Sequence, residues 1–141
     1  MLQKNTTQRL GYWLLDLHHR FDAATGEILR EEKLTRRQWQ ILHALQIGLS
    51  TVAELDQAFA PFLLVDRDQS YQPIVDEFAA RGWVEVSGGT VRLAEAGRAA
   101  HERAEVLVNA HAAESLRGIT EPEFLAANAV LHKIATNLGH E

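Results

Sequence analysis

The chain has 141 residues, 46% of them hydrophobic and 23% charged, with a formal net charge of -5; this is the size and composition of one globular domain with a substantial core. It contains no cysteine, which excludes disulfides, thiolate metal centres and cysteine nucleophiles. No uncharged apolar run approaches about 18 residues, and the start MLQKNTTQRL lacks an apolar stretch behind its basic residue, so no membrane span or secretion signal is expected and the expected location is the cytoplasm.

From the N-terminus, Leu10, Trp13, Leu14, Leu17, Phe21, Ala24 and Ile28 recur three or four apart, which predicts an amphipathic helix over residues 7–31. A second helix follows in LTRRQWQILHALQIG, opened by a capping box from Thr35 to Gln38 and ended at Gly48. In STVAELDQAFAPF, Thr51 and Glu54 repeat the device, and Pro61 is read as the stop. A loop is expected over LLVDRDQ. The next helix is predicted at 71–81, with Ser70 as its cap, Pro73 in its first turn and Gly82 behind it.

The stretch WVEVSGGTVRL reads as a hairpin turning at Gly88-Gly89. That turn sets Ser87 opposite Thr90, Val86 opposite Val91, Glu85 opposite Arg92 and Val84 opposite Leu93, with the valines and Leu93 covering the preceding helices. An alanine-rich helix runs from about residue 94 to Gly118, with Ala96, Ala99/Ala100, Leu107/Val108 and Leu116 expected inward. A last helix opens with the box Thr120 to Glu123 and carries Phe124, Leu131, Ile134 and Leu138 on one face.

Three helices followed by a two-stranded ribbon form the winged helix-turn-helix arrangement. The blocks LTRRQWQIL, TVAEL, IVDEFAARGWVE and VRLAEAGRAAHE stand in the order and at the separations of the MarR-type transcriptional regulators, and the chain resembles that family over residues 8–138. The resemblance implies a mainly α fold with a small two-stranded β wing: a winged helix-turn-helix lobe at 34–98, flanked by long dimerisation helices at 1–33 and 99–141. It further implies a homodimer on double-stranded DNA at a pseudo-palindromic operator, acting as a repressor relieved by a small aromatic or acidic ligand. The alternative is a relative of the family that has lost operator binding and serves as a ligand- or protein-binding module. Two positions depart from the family pattern: the wing lacks the aspartate-x-arginine pair common there, and Ala94 replaces the threonine that usually opens the next helix.

The expected DNA-contacting groups are the cations Arg36, Arg37, Arg67 and Arg92, with Gln69, Ser70, Tyr71 and Gln72 at the base-reading end. The segment 34–98 nevertheless holds six arginines, no lysine and eight carboxylates, so binding depends on where the cations lie rather than on their sum. Arg92 is equally placed to pair with Glu85 across the ribbon. The resemblance puts a ligand pocket at Tyr12, Trp13, His18, Trp39 and His43, where the bland reading of each tryptophan is core. No HxxxH, HExxH, GxSxG or phosphate-binding glycine loop occurs, so neither metal, cofactor nor enzymatic activity is expected, and the seven histidines are read as solvated or singly hydrogen-bonded.

Overall fold

The computed structural model describes residues 2–140. The chain divides into two compact units, Met1–Asn109 and Ala110–Glu141. In the first lie α1 (Leu10–Ile28), a 3-10 turn (Arg30–Glu32), α2 (Arg36–Gln46), α3 (Val52–Ala58), α4 (Ala60–Asp66), α5 (Gln72–Ala80), β1 (Val84–Ser87), β2 (Thr90–Leu93) and most of α6 (Glu95–Ser115); α7 (Glu121–Asn137) lies in the second.

The starts of the helices follow the predicted chemistry. The Thr35 hydroxyl accepts from the Gln38 N–H while the Gln38 side chain accepts from the Thr35 N–H, and Thr120 and Glu123 do the same for α7. Thr51 accepts from the Glu54 N–H at 3.1 Å. Each cap satisfies donors that the first helical turn would otherwise leave bare.

The segment after α3 differs from its prediction. Pro61 stops nothing: it sits in the first turn of α4, where a residue without an N–H is tolerated, and most of the expected loop is helical. At the end of α4, Arg67 adopts φ 58°, and the Asp68 N–H reaches back to the Leu63 carbonyl at 3.0 Å. This is a Schellman closure, with an arginine at the left-handed position that glycine favours.

The hairpin has the predicted register, from Val84 opposite Leu93 to Ser87 opposite Thr90. Val84, Val91 and Leu93 are buried, but Val86, nearer the tip, is 53% exposed; the ribbon projects beyond the helices it covers. The Val91 N–H donates to the Ser50 carbonyl at 2.7 Å, which ties β2 to the loop ahead of α3.

The core of the first unit gathers Ile41, Leu42 and Leu45 from α2, Leu55 from α3, Val75 and Phe78 from α5, the inner hairpin residues, and Ala100 and Ala104 from α6. The buried stripe of α6 is Gly97, Ala100, His101 and Ala104. Ala96, Ala99 and Leu116, expected inward, are exposed. For the two alanines the reason is at Gly97: a methyl there would lie 2.2 Å from the Trp83 carbonyl oxygen, so α6 presses its glycine against the strand entry and thereby sets its own rotation.

Two apolar surfaces stay uncovered. In the first unit, α1 exposes Tyr12, Trp13, Leu14, Leu15, Leu17 and Phe21. Along α7, Phe124, Leu125, Val130 and Leu131 are exposed, and no described residue of Ala110–Glu141 is buried. None of the described helices is long and apolar enough to cross a membrane.

Candidate nucleic-acid interface and ligand cavity

Helix α5 stands directly ahead of the wing, where the sequence reading expects the base-reading groups, and its start is built by a carboxylate. Asp56, on α3, accepts from the Ser70 hydroxyl at 2.8 Å and from the Tyr71 N–H at 2.7 Å. The Ser70 oxygen in turn accepts from the Gln72 N–H at 3.1 Å. Ser70 therefore acts as a cap one position ahead of the helix boundary, and an aspartate already occupies the positive end of α5. The lobe's charge count included Asp56 without revealing this role, because the pairing spans 14 residues of chain.

Tyr71 departs from its expected place. It is 1% exposed, its hydroxyl donates to the Phe59 carbonyl at 2.9 Å, and its ring meets Phe59 edge-on. Burial pushes its phenol up to about 12, with the Asp66, Asp56 and Asp68 charges adding to the rise and Arg37 opposing it. Tyr71 is an anchor of the core, so it offers no edge to a base. Sequence position suggested otherwise because a tyrosine next to a cap can turn either way, and Phe59 decides the direction.

The outer face of α5 presents Gln72, Pro73, Asp76 and Glu77. The Gln72 amide donates to Asp76 at 2.8 Å, while Glu77 accepts from Arg81 at 2.7 Å and from Gln38 at 2.7 Å. Among the described residues, Gln69 and Arg67 are exposed with no side-chain hydrogen bond or ion pair. On the wing, Arg92 pairs with Glu85 at 3.2 Å, with both side chains mostly exposed; the contribution of such a pair is small, and the guanidinium can exchange partners.

Arg36 and Arg37 are held by carboxylates and aromatic rings of α1 and α4. Arg36 donates to Asp22 at 2.8 Å and lies over the rings of Phe21 and Phe62. Arg37 grips Asp66 through two donors, at 2.6 and 3.2 Å, donates to Gln40 at 2.8 Å, and stands 4.2 Å from the centre of the Phe62 ring. Burial pushes the Asp22 carboxyl up, but the hydrogen bond and charge of Arg36, with Arg37 and His18 behind them, leave it below the usual carboxylate range. The partners of both arginines lie on α1 and α4. Their position at the start of α2 suggests an exposed, DNA-facing pair; the carboxylates that hold them, Asp22 and Asp66, are distant in sequence.

These two arginines line a cavity of about 580 Å³ together with Asp22, Gly26, Arg30, Lys33, Leu34, Thr35 and Asp66. Four cations against two carboxylates give it an excess of positive charge. None of the five expected pocket residues lines it. Tyr12 and Trp13 pack edge-on against each other on the exposed face of α1, His18 sits by Phe62 and 3.4 Å from Asp22, and Trp39 and His43 stack with His101 in the core. Of the two states expected for the histidines, solvated or singly hydrogen-bonded, His101 takes the second: it is 3% exposed and meets His43 at 3.0 Å. The described residues contain no group of three or more metal-ligating side chains.

No protein-family model matches the sequence, and no curated protein matches it. Solved structures do match. A MarR family transcriptional regulator from Silicibacter pomeroyi is 20% identical with a TM-score of 0.73, over 93% of this chain and 94% of that one. The transcriptional repressor CouR bound to p-coumaroyl-CoA is 20% identical with a TM-score of 0.74, over 94% and 96%. A MarR family protein from Mycobacterium tuberculosis in complex with DNA is 23% identical with a TM-score of 0.67, over 89% and 97%. These values show a common fold across nearly the whole length of each chain, and that fold is the MarR-type winged helix of transcriptional regulators.

Proposed function

We propose that the protein is a DNA-binding transcriptional regulator that acts as a homodimer on a pseudo-palindromic operator, as a repressor relieved by a small acidic ligand. The observation that carries this reading is the lobe itself: a capped helix α5 with an exposed outer face, followed directly by a two-stranded wing, on the fold of a relative solved on DNA. Gln69 and Arg67, ahead of α5, are the groups free to meet bases and phosphates; Gln72 joins them if it gives up Asp76, and Arg92 if it gives up Glu85. Arg36 and Arg37 serve the ligand cavity instead.

The exposed apolar residues of α1 and α7 support the dimer, since a helical unit with none of its described residues buried gains its stability from whatever covers it. On this reading the segments 1–33 and 99–141 form the dimerisation region and 34–98 the DNA-binding lobe. The cavity's excess of arginine and lysine suits a carboxylate or phosphate, and one relative is solved with a coenzyme A thioester. The mechanism is geometric: two recognition helices must stand about 34–36 Å apart to enter successive major grooves, and an occupied cavity changes that spacing.

One observation favours a second reading, in which the dimer has lost operator binding and recognises a ligand or protein. The outer face of α5 carries Asp76 and Glu77, and Asp56 occupies its positive end. Binding of the purified protein to the DNA upstream of its own gene, at two salt concentrations and against scrambled DNA, separates the two. No preference at low salt would discard the regulator.

A further inference from the structure

Two imidazoles meet in the interior of the first unit. His43, near the end of α2, and His101, in the second turn of α6, place Nδ1 and Nε2 3.0 Å apart, with the rings 15° from parallel. Their centres are 5.3 Å apart, which is the nitrogen separation plus the two ring radii, so the rings meet end to end. The two lone-pair directions then run along one line. That line has room for a single hydrogen but not for a metal ion, which requires about 2.0–2.1 Å to each nitrogen. The indole of Trp39 lies against both rings, with centres at 5.3 and 5.0 Å. On the other side of His101, Nδ1 is 3.5 Å from the Glu105 carboxylate.

We propose that His43 and His101 form a proton-operated latch between α2 and α6, closed by one bridging hydrogen and opened when both rings are charged. Glu105 draws the Nδ1–H of His101, which leaves its Nε2 as acceptor and makes His43 Nδ1 the donor; the tautomers follow from this network. A proton added at the outer nitrogen of His43 leaves the bridge intact. A second sets N–H against N–H at 3.0 Å, with two like charges beneath one indole.

The ionisable groups acting on His101 are Glu105 and Glu102 on its own helix and His43 on α2. Burial holds His101 below the ordinary histidine range, Glu105 and Glu102 oppose that shift, and a charge on His43 adds to it. A histidine whose folded value lies below its unfolded value leaves stability intact at neutral pH. Stability is then lost as pH falls from about 6.5 through the folded value. Acid therefore releases the first helix of the lobe from the helix that leads out of it. The latch does not depend on what the lobe binds.

The test is a pH titration of the histidine ring signals by proton–nitrogen NMR on the full chain in chelator-treated buffer, from pH 8 to 4.5. The Trp39 contacts assign the pair without any substitution. The expected result is two coupled steps with midpoints separated by about one pH unit or more, and a His101 midpoint that rises in His43→Gln. The urea midpoint of the wild type should fall between pH 7 and 5, and that of His43→Gln should fall less. Equal, independent midpoints in wild type and variant would overturn the latch, and so would saturation of the same ring signals by stoichiometric zinc.

Discussion

Gly97→Ala separates helix propensity from packing, because the two predict opposite signs. In an open helix interior, replacing glycine by alanine gains about 1 kcal/mol. Gly97 is buried, and its added methyl would stand 2.2 Å from the Trp83 carbonyl oxygen and 3.0 Å from Leu93 Cδ2. Carbon contacts settle at about 3.5–4.0 Å, so the oxygen or the helix must move by more than an ångström. That oxygen also accepts the Ala94 N–H at 2.8 Å, at the point where α5 hands over to the hairpin. Overpacking costs about 1–3 kcal/mol and the strained hydrogen bond about 0.5–1.5 more; set against the helical gain of about 1 kcal/mol, the net loss is about 0.5–3.5, centred on about 2. With a urea slope near 2 kcal/mol per molar, the midpoint should drop by about 1 M at fixed protein concentration. Gly26→Ala in α1, with nothing within 4 Å of the new methyl, should raise the midpoint instead. If Gly97→Ala matched or exceeded the wild type, close approach of α6 to the strand entry would not be what sets its rotation.

Asp56→Ala removes the acceptor of both the Ser70 hydroxyl and the Tyr71 N–H and should cost about 1–3 kcal/mol in urea unfolding, with Asp56→Asn recovering part of it; an unchanged midpoint would show that α5 starts without this support. Arg67→Gly relieves the left-handed strain at φ 58° but frees the unfolded chain, for a net gain of about 0.5 kcal/mol. On the proposed function the same change lowers the slope of log affinity against log salt by about 1 for each protomer, and a total dimer slope steeper than about -6 would refute an interface of few contacts. Asp22 has a folded value below its unfolded one, so its contribution is present above about pH 4 and lost as pH falls through the folded value. The stability gap between wild type and Asp22→Asn should accordingly shrink between pH 6 and 3, and a constant gap would refute the pairing.

Local chemistry made much of the fold legible. The boxes at Thr35 and Thr120, the cap at Thr51 and the Gly88-Gly89 turn each depend on residues within four positions of one another, so their geometry follows without knowledge of the rest. Hairpin register follows from the same fact, because a two-residue turn fixes every opposing pair. Helix α4 escaped because Pro61 was read as a terminator. Proline both ends and begins helices, and only what precedes it in space tells which.

The functional residues divide on the same line. That residues 35–98 make a capped helix set and a wing was present in the sequence, as was the surplus of carboxylates that makes cation placement decisive. Where those cations go was decided at long range: Asp22 and Asp66, from α1 and α4, hold Arg36 and Arg37 in a cavity, and Phe59 draws Tyr71 inward. His101 and His43 are 58 residues apart and meet where α6 packs against α2, with Gly97 of the same helix close against the strand entry. A side chain's partner is set by which elements pack together, and that packing depends on the volume of the whole core rather than on any run of neighbours.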